Sequence, residues 1–326
     1  MTRGIKIVWL SLLLVIQMTA VGQTGQGLLP YSNKLLLNPS YAGWNKNTSI
    51  WSGLQFSALP EKRLNHAYTL TYDWWSEKMQ GGLAVHYYQG LIGALNTNVS
   101  GLGFTFSKPV KTGINAHLIP AIQLNVKTAS KQWFVQLIDS MVEDYTEPPS
   151  PPGKELLRYQ LYQPRAGLVW HTQNIEMGVA ASYSFQQKLT EYETIRDDTP
   201  YHIVFHISGN KRGRKKGLTS KPFKTTPGLI LLVSENLLIT RTGIKTGQTD
   251  RVSGLYIQNN FSDNIHGISG IFGWKMDHVH ITFAAGTAYS IPHKKMTFFG
   301  ETTIGVILPM IDFDKNHPWA APQKKF

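Results

Sequence analysis

The 326-residue chain contains no cysteine, few charged residues and no long apolar run beyond its N-terminus. Without cysteine it forms neither disulfide bonds nor thiolate metal sites, and it has no cysteine nucleophile. Charged residues make up only 16% of the chain, which is low for a soluble surface, whereas a mean hydropathy of −0.19 is too polar for a bundle of membrane helices. Acidic residues are also scarce, so the net charge is +12. The apolar residues are therefore dispersed along the chain.

The N-terminus has the pattern of a secretory signal peptide. Arg3 and Lys6 precede an apolar run at 7–16, and small residues follow up to Gly22. A single anchor helix is the alternative, but the run is shorter than the roughly 20 apolar residues that a membrane span needs. We therefore predict a signal peptide at 1–22. An exported chain without a second apolar run is either a soluble secreted protein or a membrane β-barrel.

The remaining sequence alternates between apolar and small or polar residues, as expected for strands whose successive side chains point to opposite faces. In 175–186, for example, Ile175, Met177 and Val179 alternate with glutamate, glycine and alanine. About fourteen such segments occur, most of roughly the length that a tilted strand needs to cross a membrane, and the number is even, as single-chain outer-membrane barrels require. The predicted strands are 47–56, 64–74, 80–89, 96–107, 114–126, 164–171, 174–186, 201–209, 227–235, 237–245, 251–260, 265–274, 278–289 and 297–308.

These strands predict an all-β fold, a transmembrane antiparallel β-barrel of about 14 strands after the signal peptide and a short N-terminal periplasmic segment. A soluble β-sandwich also alternates. The barrel is favoured because aromatic residues recur near strand ends and because the opposite face has glycine, alanine, serine, histidine and acids, which suit a wet lumen. The predicted lumen-facing residues are Asp73, Glu176, His278, His280 and Glu301.

Strand parity predicts the topology. If both ends of the barrel sequence are periplasmic, the longest connection, at about 127–163, and the acidic loop near 187–200 face outward, whereas loop 210–225 faces the periplasm. We therefore predict a protein of the outer membrane with both termini in the periplasm. The predicted organisation is a signal peptide at 1–22, an N-terminal periplasmic segment at 23–46, a barrel at 47–310 and a C-terminal periplasmic tail at 311–326.

The strongest cluster of charge is basic and lies in the loop at 210–225. Such a cluster is often only a solvated loop, and an exported protein rarely meets nucleic acid. The sharper hypothesis is docking to an acidic partner protein in the periplasm, or to acidic lipid head groups if the strand parity is reversed. The residues of this predicted docking loop are Lys211, Arg212, Arg214, Lys215 and Lys216.

A motif ahead of the first strand suggests a family. Asn38-Pro39-Ser40-Tyr41-Ala42-Gly43 closely resembles the Asn-Pro-Ala-Tyr-Ala-Gly signature that opens the PorP/SprF family of Bacteroidota outer-membrane proteins. The segments Gly82-Leu83-Ala84-Val85 and Gly90-Leu91-Ile92-Gly93 are similar to paired glycine segments of that family. Phe299-Gly300-Glu301-Thr302 departs from the Gly-Ser-His-Glu-like sequence that the family usually has in its last strand.

The resemblance implies a function that composition and spacing do not. Members of the family are similar to fourteen-stranded barrels of the type IX secretion and gliding machinery, which help to secrete or anchor large cell-surface adhesins with a C-terminal sorting domain. The implied partners are the adhesin or its sorting domain, the secretion translocon, and periplasmic motor or peptidoglycan-binding components. The alternative function is a porin or a hydrophobic-solute channel.

The motif also has a structural meaning of its own. Asn38-Pro39 favours the start of a turn, Gly43 permits unusual backbone angles, and Tyr41 and Trp44 are large anchors. We predict that this segment enters the periplasmic mouth and plugs or seals the barrel, although an ordinary N-terminal turn is the simpler alternative.

Catalysis is not expected. The sequence contains neither Gly-x-Ser-x-Gly nor His-Glu-x-x-His, so no nucleophile or zinc motif stands out. His278 and His280 have the spacing of two ligands on one strand face, but lumen residues that bond to one another or to water are the simpler interpretation. We predict no enzyme activity, no metal and no cofactor.

Overall fold

A computed structural model describes residues 33–44, 46–58, 64–92, 97–132, 156–188, 201–209, 211–212, 224–235, 237–247, 250–292 and 294–308. The predicted signal peptide, the predicted C-terminal tail and most of the basic loop lie outside these residues. A one-turn helix α1 (Lys34–Leu37) and a 3₁₀ turn (Pro39–Tyr41) precede the strands. None of the described helices has the length and apolar character to span a membrane.

Fourteen antiparallel strands form one sheet. Three of them have a short continuation, at Val110–Gly113 after β4, Phe185–Lys188 after β7 and Lys211–Arg212 after β8. The strands are β1 (Thr48–Ala58), β2 (Leu64–Ser76), β3 (Gly81–Ile92), β4 (Thr97–Ser107), β5 (Ala116–Gln132), β6 (Leu156–Thr172), β7 (Ile175–Tyr183), β8 (Tyr201–Gly209), β9 (Lys224–Ser234), β10 (Leu237–Gly247), β11 (Arg251–Asn260), β12 (Ile265–Met276), β13 (Val279–Ser290) and β14 (Lys295–Leu308).

The sheet is closed into a barrel. Strand β1 pairs with β14 along all of its 11 residues, from Thr48 opposite Leu308 to Ala58 opposite Phe298, and it pairs with β2 on its other side. Closure leaves no edge strand with unpaired backbone groups, which is the condition for placing a sheet in lipid. The predicted fold is confirmed, and each of the fourteen predicted segments corresponds to one strand.

The two faces of the barrel wall differ in chemistry as the alternation predicted. Large apolar side chains are exposed on the outer face, among them Phe104 and Ile122 at 60% and 66%. The lumen face holds small and polar residues such as Ala67 and Thr71, which are buried. So continuous an exposed apolar surface is unfavourable in water, so the outer face contacts the hydrocarbon of a membrane.

Aromatic side chains concentrate near both ends of the outer face. The end of the barrel at which β1 begins (Thr48) and β14 ends (Leu308) is called the terminal end. The exposed aromatic residues near it include Trp170 and Trp274. Toward the opposite end, called the far end, they include Tyr183. Further members of these belts are Tyr72 at the terminal end, and Phe185, Tyr289 and Phe298 at the far end. Such belts are typical of the two membrane interfaces of a barrel.

Connections sort to the two ends by strand parity. The described turns at 77–80, 173–174 and 277–278 lie at the terminal end, where β8 also ends and β9 begins. Residues 133–155 and 189–200 join strands at the far end and lie outside the described residues. The side of the membrane to which each end belongs stays a prediction.

The predicted long loop at 127–163 is wrong at both of its boundaries. Strand β5 continues to Gln132 and β6 already begins at Leu156. The reason is pairing between strands, because Thr97 at the start of β4 lies opposite Lys131 and Tyr162 lies opposite Phe185. Residues 127–132 and 156–163 therefore complete the hydrogen bonding of strands that the alternation had already predicted.

Candidate functional site

The motif residues fold into a compact turn inside the barrel. Asn38 caps the 3₁₀ turn, because its Oδ1 accepts a hydrogen bond from the Ser40 backbone N–H at 3.0 Å, and Pro39 occupies the first position of the turn. A proline there suits a helical start, since its missing N–H needs no partner. Gly43 follows with a φ of +59°, which glycine adopts without strain. Residues 33–44, with this turn at their centre, are called the lumen segment.

Asn38 is fully buried, and both polar atoms of its side chain form hydrogen bonds. Its Nδ2 donates to the Val179 carbonyl at 3.0 Å and the Leu168 carbonyl at 3.4 Å, and lies 3.3 Å from His206 Nε2. Gly167 makes this approach possible, since a Cβ at that position would lie 2.3 Å from Asn38 Oδ1. A buried amide without partners would be costly, so these contacts fix the segment against β6, β7 and β8.

Glu176 on β7 is the centre of the polar contacts. Its carboxylate accepts hydrogen bonds from Lys34 Nζ at 2.6 and 2.9 Å and from the Tyr41 hydroxyl at 2.6 Å. His171 Nδ1 lies 3.2 Å away, and the Ser208 hydroxyl lies 3.4 Å away. One buried carboxylate thus joins two residues of the lumen segment to three strands of the wall. Charge-assisted bonds of this kind are about twice as strong as neutral ones.

Backbone groups of the lumen segment are also bound by wall side chains. Arg165 on β6 donates to the carbonyls of Leu36, at 3.0 Å, and Leu37. The α1 helix ends here, so these carbonyls have no partner within the helix.

Two further contacts bind the backbone after the 3₁₀ turn. Ser107 Oγ donates to the Ala42 carbonyl at 2.7 Å, and Asp73 Oδ2 accepts from the Gly43 N–H at 3.2 Å. Asp73 Oδ1 also accepts a hydrogen bond from Ser49. Polar side chains on β2 and β4 therefore hold the segment at its C-terminal side.

Close packing completes the fit. Gly82 on β3 lies directly below Ala42, where an added Cβ would stand 1.8 Å from the Ala42 carbonyl oxygen. Leu37 joins a buried apolar cluster on β8 and β9 that includes Val204 and Ile230. Tyr41 packs against Ile119 and Val169. The ring centre of Trp44 lies 4.7 Å from that of His171 and 6.3 Å from that of His117.

The other predicted lumen residues lie elsewhere on the wall. Glu301 is buried and accepts hydrogen bonds from Gln55 Nε2 at 3.0 Å and Thr303 Oγ1 at 3.2 Å. His280 packs edge-on against Trp51, with ring centres 5.8 Å apart. The structure thus brings Asp73 and Glu176 to the lumen segment and leaves Glu301 and His280 outside this group.

His278 differs from its predicted position. It is exposed in the turn at 277–278 rather than on the lumen face of a strand, and β13 begins one residue later. Asp277 adopts a positive φ of 38°, which reverses the chain at this point. The residues described contain no group of three His, Asp or Glu side chains that could hold a metal ion.

Of the five basic residues of the predicted docking loop, only Lys211 and Arg212 are described. Lys211 and Arg212 extend β8 and pair with Thr225 and Lys224. Arg214, Lys215 and Lys216 lie outside the described residues. The predicted docking loop is therefore attached at the terminal end of the barrel, the same end at which the lumen segment binds.

Several residues of the site were missed by the sequence reasoning, above all Arg165, Gly82 and His206. The alternation did contain a signal for Arg165, because it shares a face with Gly167, Val169 and His171, opposite the apolar Leu168 and Trp170. An arginine on that face must point into the lumen. Its partner was not visible, since Leu36 lies 129 residues away in the sequence.

A closed antiparallel barrel with an apolar outer face and aromatic belts at both ends is an outer-membrane β-barrel protein. The model of the type IX secretion system membrane protein family PorP/SprF matches residues 29–306, so the chain belongs to this family. The match includes the whole lumen segment and nearly the whole barrel. The expected family is confirmed, and with it the outer membrane as the location.

The barrel fold is similar to that of a solved channel. The monoaromatic hydrocarbon channel CymD has a TM-score of 0.54 at 10% identity, over 89% of this chain and 94% of that chain. A Pseudomonas putida toluene transporter, TodX, has a TM-score of 0.46 at 8% identity, over 88% and 95% of the two chains. At such identities the likeness concerns the barrel architecture alone. The comparison with curated proteins found no match.

Proposed function

We propose that this chain is a closed anchoring barrel of the type IX secretion machinery, which helps to secrete or hold a large cell-surface adhesin with a C-terminal sorting domain. Membership of the PorP/SprF family supports a role in secretion. The observation that supports a closed barrel is the lumen segment, which is bound inside the bore through Asn38, Glu176 and Arg165.

These contacts favour a lumen segment that seals the barrel over one that is a loosely bound tail. Asn38, Pro39 and Ser40 are buried, and the polar groups that contact Asn38 lie on three strands, β6, β7 and β8. Release of the segment would expose the Glu176 carboxylate and the Asn38 amide without their partners, which costs free energy. The motif of the family therefore has a physical role in this proposal, as the part that closes the barrel.

Ion conductance tests the closed barrel. In planar bilayers the full mature chain should conduct little, whereas a variant that lacks residues 23–46 should form steady pores. Gln55→Leu, a lumen change on β1 that leaves the segment's contacts intact, is the matched control and should stay closed. Equal conductance of the mature chain and the deletion variant would show that the segment does not seal the lumen.

The far end would contact the adhesin or its sorting domain. In the predicted orientation this end faces outward, and its connections at 133–155 and 189–200 join neighbouring strands β5 to β8. Cells in which 133–155 is replaced by a short Gly-Ser turn should keep the barrel in the outer membrane and lose adhesin at the surface. Replacement of the turn at 261–264, also at the far end, is the control. Unchanged surface adhesin in the first variant would contradict this contact.

The terminal end would contact periplasmic machinery, the translocon or a motor or peptidoglycan-binding component. The basic loop that begins at Lys211 lies at this end and would attract an acidic partner surface. Exchange of the five basic residues at 211–216 for Ser or Gln should remove a known machinery component from the purified complex. Exchange of Lys294 and Lys295 at the far end for Gln should not. An unchanged complex in both variants would exclude the loop as the docking element.

The alternative is a porin or hydrophobic-solute channel, and the conductance measurement above separates it from an anchor. We propose that the chain binds and does not catalyse. Ser182 and Ser184 are the lumen serines on and just after β7, and an activity-based serine probe should label neither of them.

A further inference from the structure

The outer wall of the barrel has an apolar groove that the proposed function does not use. It crosses β8 to β11 on the face that meets lipid, and its volume is about 610 Å³. Its lining includes Ile207, Leu229, Ile244 and Leu255, together with Gly209 and Pro227. This volume lies within the range of small-molecule pockets, about 300–1,000 Å³.

The groove follows from the register of four strands. Leu229 lies opposite both Ile207 and Thr242, which forms one row across the wall. In the next row toward the terminal end, Ile244 lies opposite Pro227 on one side and Leu255 on the other. This second row has a gap at its edge, because Gly209 next to Pro227 has no side chain. The short Thr242 side chain widens the depression.

Polar residues replace apolar ones directly below the groove. The next row pairs Thr225 with Thr246 and Thr246 with Ser253, and the hydroxyls of Thr246 and Ser253 are 2.9 Å apart. Arg251 is exposed and lies two residues beyond this row toward the terminal end. It is about 13 Å along the strand from Leu255.

The depth of these polar residues matches a membrane interface. Arg251 lies opposite Trp274, an exposed tryptophan of the terminal-end belt whose ring packs against Phe272 at 4.4 Å. Tryptophan at the rim of a barrel marks the level of lipid head groups. An apolar groove therefore ends at hydroxyls and a guanidinium at the depth where phosphate groups lie.

We propose that this groove is a binding site for one anionic phospholipid, with an acyl chain between Leu229 and Leu255 and the phosphate bound by Arg251 and the hydroxyls of Thr246 and Ser253. A lipid fits because the groove opens to hydrocarbon, which water does not enter, and because the exposed Arg251 beyond its polar row is positively charged. Guanidinium binds phosphate oxygens in a bidentate manner, and this favours a phosphate over a neutral head group. The proposal depends on the barrel and its outer wall, and it does not depend on the role in adhesin secretion.

Native mass spectrometry of the full mature chain in detergent tests the head-group contact. Titration with phosphatidylglycerol should give one tightly bound lipid, and phosphatidylcholine should bind more weakly. Arg251→Gln should reduce the affinity for phosphatidylglycerol about tenfold, since it removes a charge-assisted contact. Lys111→Gln, an exposed change at the same end on β4, is the matched control. Competition by inorganic phosphate alone should be absent, because the acyl chain supplies much of the affinity.

A second variant tests the groove itself. Gly209→Leu adds a side chain to the groove, where an added Cβ would lie 3.3 Å from Pro227 Cγ. It should reduce phosphatidylglycerol binding while the phosphate contacts stay intact. Ala285→Leu on the outer face of β13 adds the same bulk elsewhere and should have no effect.

Equal lipid binding by the wild type, Arg251→Gln and Gly209→Leu would overturn the site. Equal affinity for phosphatidylcholine and phosphatidylglycerol in the wild type would overturn recognition of the charge. A wild-type dimer that Gly209→Leu dissociates, with lipid binding unchanged, would instead assign the groove to a second copy of the chain.

Discussion

Two parts of the lumen wall use the same kinds of side chain in different ways. The wall formed by β2 to β9, called the segment-facing wall, directs Glu176 and Arg165 at the lumen segment. On the remaining wall, called the opposite wall, Glu301 binds Gln55, and Arg241 donates two hydrogen bonds to Gln258 at 3.0 and 2.7 Å. These charged side chains therefore bind the segment only where side chains or backbone groups of the segment come within reach.

Glycines decide where that approach happens. Gly82 on the segment-facing wall leaves its space to the backbone of Ala42, whereas Gly305 on the opposite wall leaves its space to the ring of Trp51. In the first case the wall is open to another part of the chain, and in the second it is filled by its own side chain. The comparison indicates that β2 to β9 act as a receptor for the lumen segment, whereas the opposite wall acts as a brace of the barrel.

The largest effect is expected from Gly82→Ala. The new Cβ would stand 1.8 Å from the Ala42 carbonyl oxygen, a backbone atom, so the segment has to move. Overpacking of this kind costs about 3 kcal/mol, so the released population should rise about a hundredfold. The chain has no cysteine, so a single Ser40→Cys change, at a buried position, reports release through its rate of maleimide labelling.

Gly305→Ala is the matched change on the opposite wall. There the added Cβ would meet the Trp51 ring 2.3 Å away, and a side chain can turn aside. Labelling at position 40 should stay close to that of the parent. Similar labelling in both glycine variants would mean that the two walls do not differ in the way proposed.

The fold could be predicted because a strand repeats every two residues. Alternation alone identified all fourteen strands and the face of residues such as Glu176 and Glu301. It failed where the deciding partner is distant in sequence. The end of β5, for example, depends on Thr97 across the sheet. Alternation also failed at His278 for a local reason, because it does not report the positive φ of Asp277 that forms the turn.

The site was predictable only in part, for the same reason. The motif indicated a special turn, because Asn-Pro and glycine have local conformational effects. The partner of Lys34 lies 142 residues away, and that of Asn38 lies 141 residues away at Val179. Alternation says that Glu176 and Glu301 both face the lumen, but it does not say which of the two meets the segment.

Glu176→Gln and Glu301→Gln separate these two carboxylates. The first change removes the charge that binds Lys34 and Tyr41, and should weaken docking of the segment by about 2 kcal/mol, or about thirtyfold in labelling at Ser40→Cys. The value is below that of a fully buried pair, because the Lys34 side chain is 39% exposed and is partly solvated. Glu301→Gln should leave labelling unchanged.

A double-mutant cycle checks the cause. Lys34→Met should raise labelling at Ser40→Cys by a smaller factor in the Glu176→Gln background than in the parent, because the two residues share one interaction. Fully additive effects would indicate that Glu176 acts through Tyr41 or the wall and not through Lys34.

The next largest effect is expected from Arg165→Gln. Loss of the guanidinium leaves the Leu36 and Leu37 carbonyls without their charged donor, at a cost of about 1.5 kcal/mol and about a tenfold rise in labelling. Arg241→Gln removes the same type of side chain from the opposite wall and should raise labelling less than twofold. A larger effect from Arg241 than from Arg165 would reverse the assignment of receptor and brace.

The smallest effect is expected from Trp44 and Trp51, two of the described tryptophans that face the lumen. Trp44 belongs to the segment and packs edge-on against His171, while Trp51 belongs to the wall and packs edge-on against His280. Trp44→Leu keeps an apolar side chain and loses the ring contact, so it should weaken docking by about 1 kcal/mol, or about fivefold in labelling. Trp51→Leu should lower the melting temperature of the barrel without a change in labelling at Ser40→Cys. If Trp51→Leu released the segment as strongly as Trp44→Leu, the wall would support the segment as a whole, and the division between its two parts would have to be abandoned.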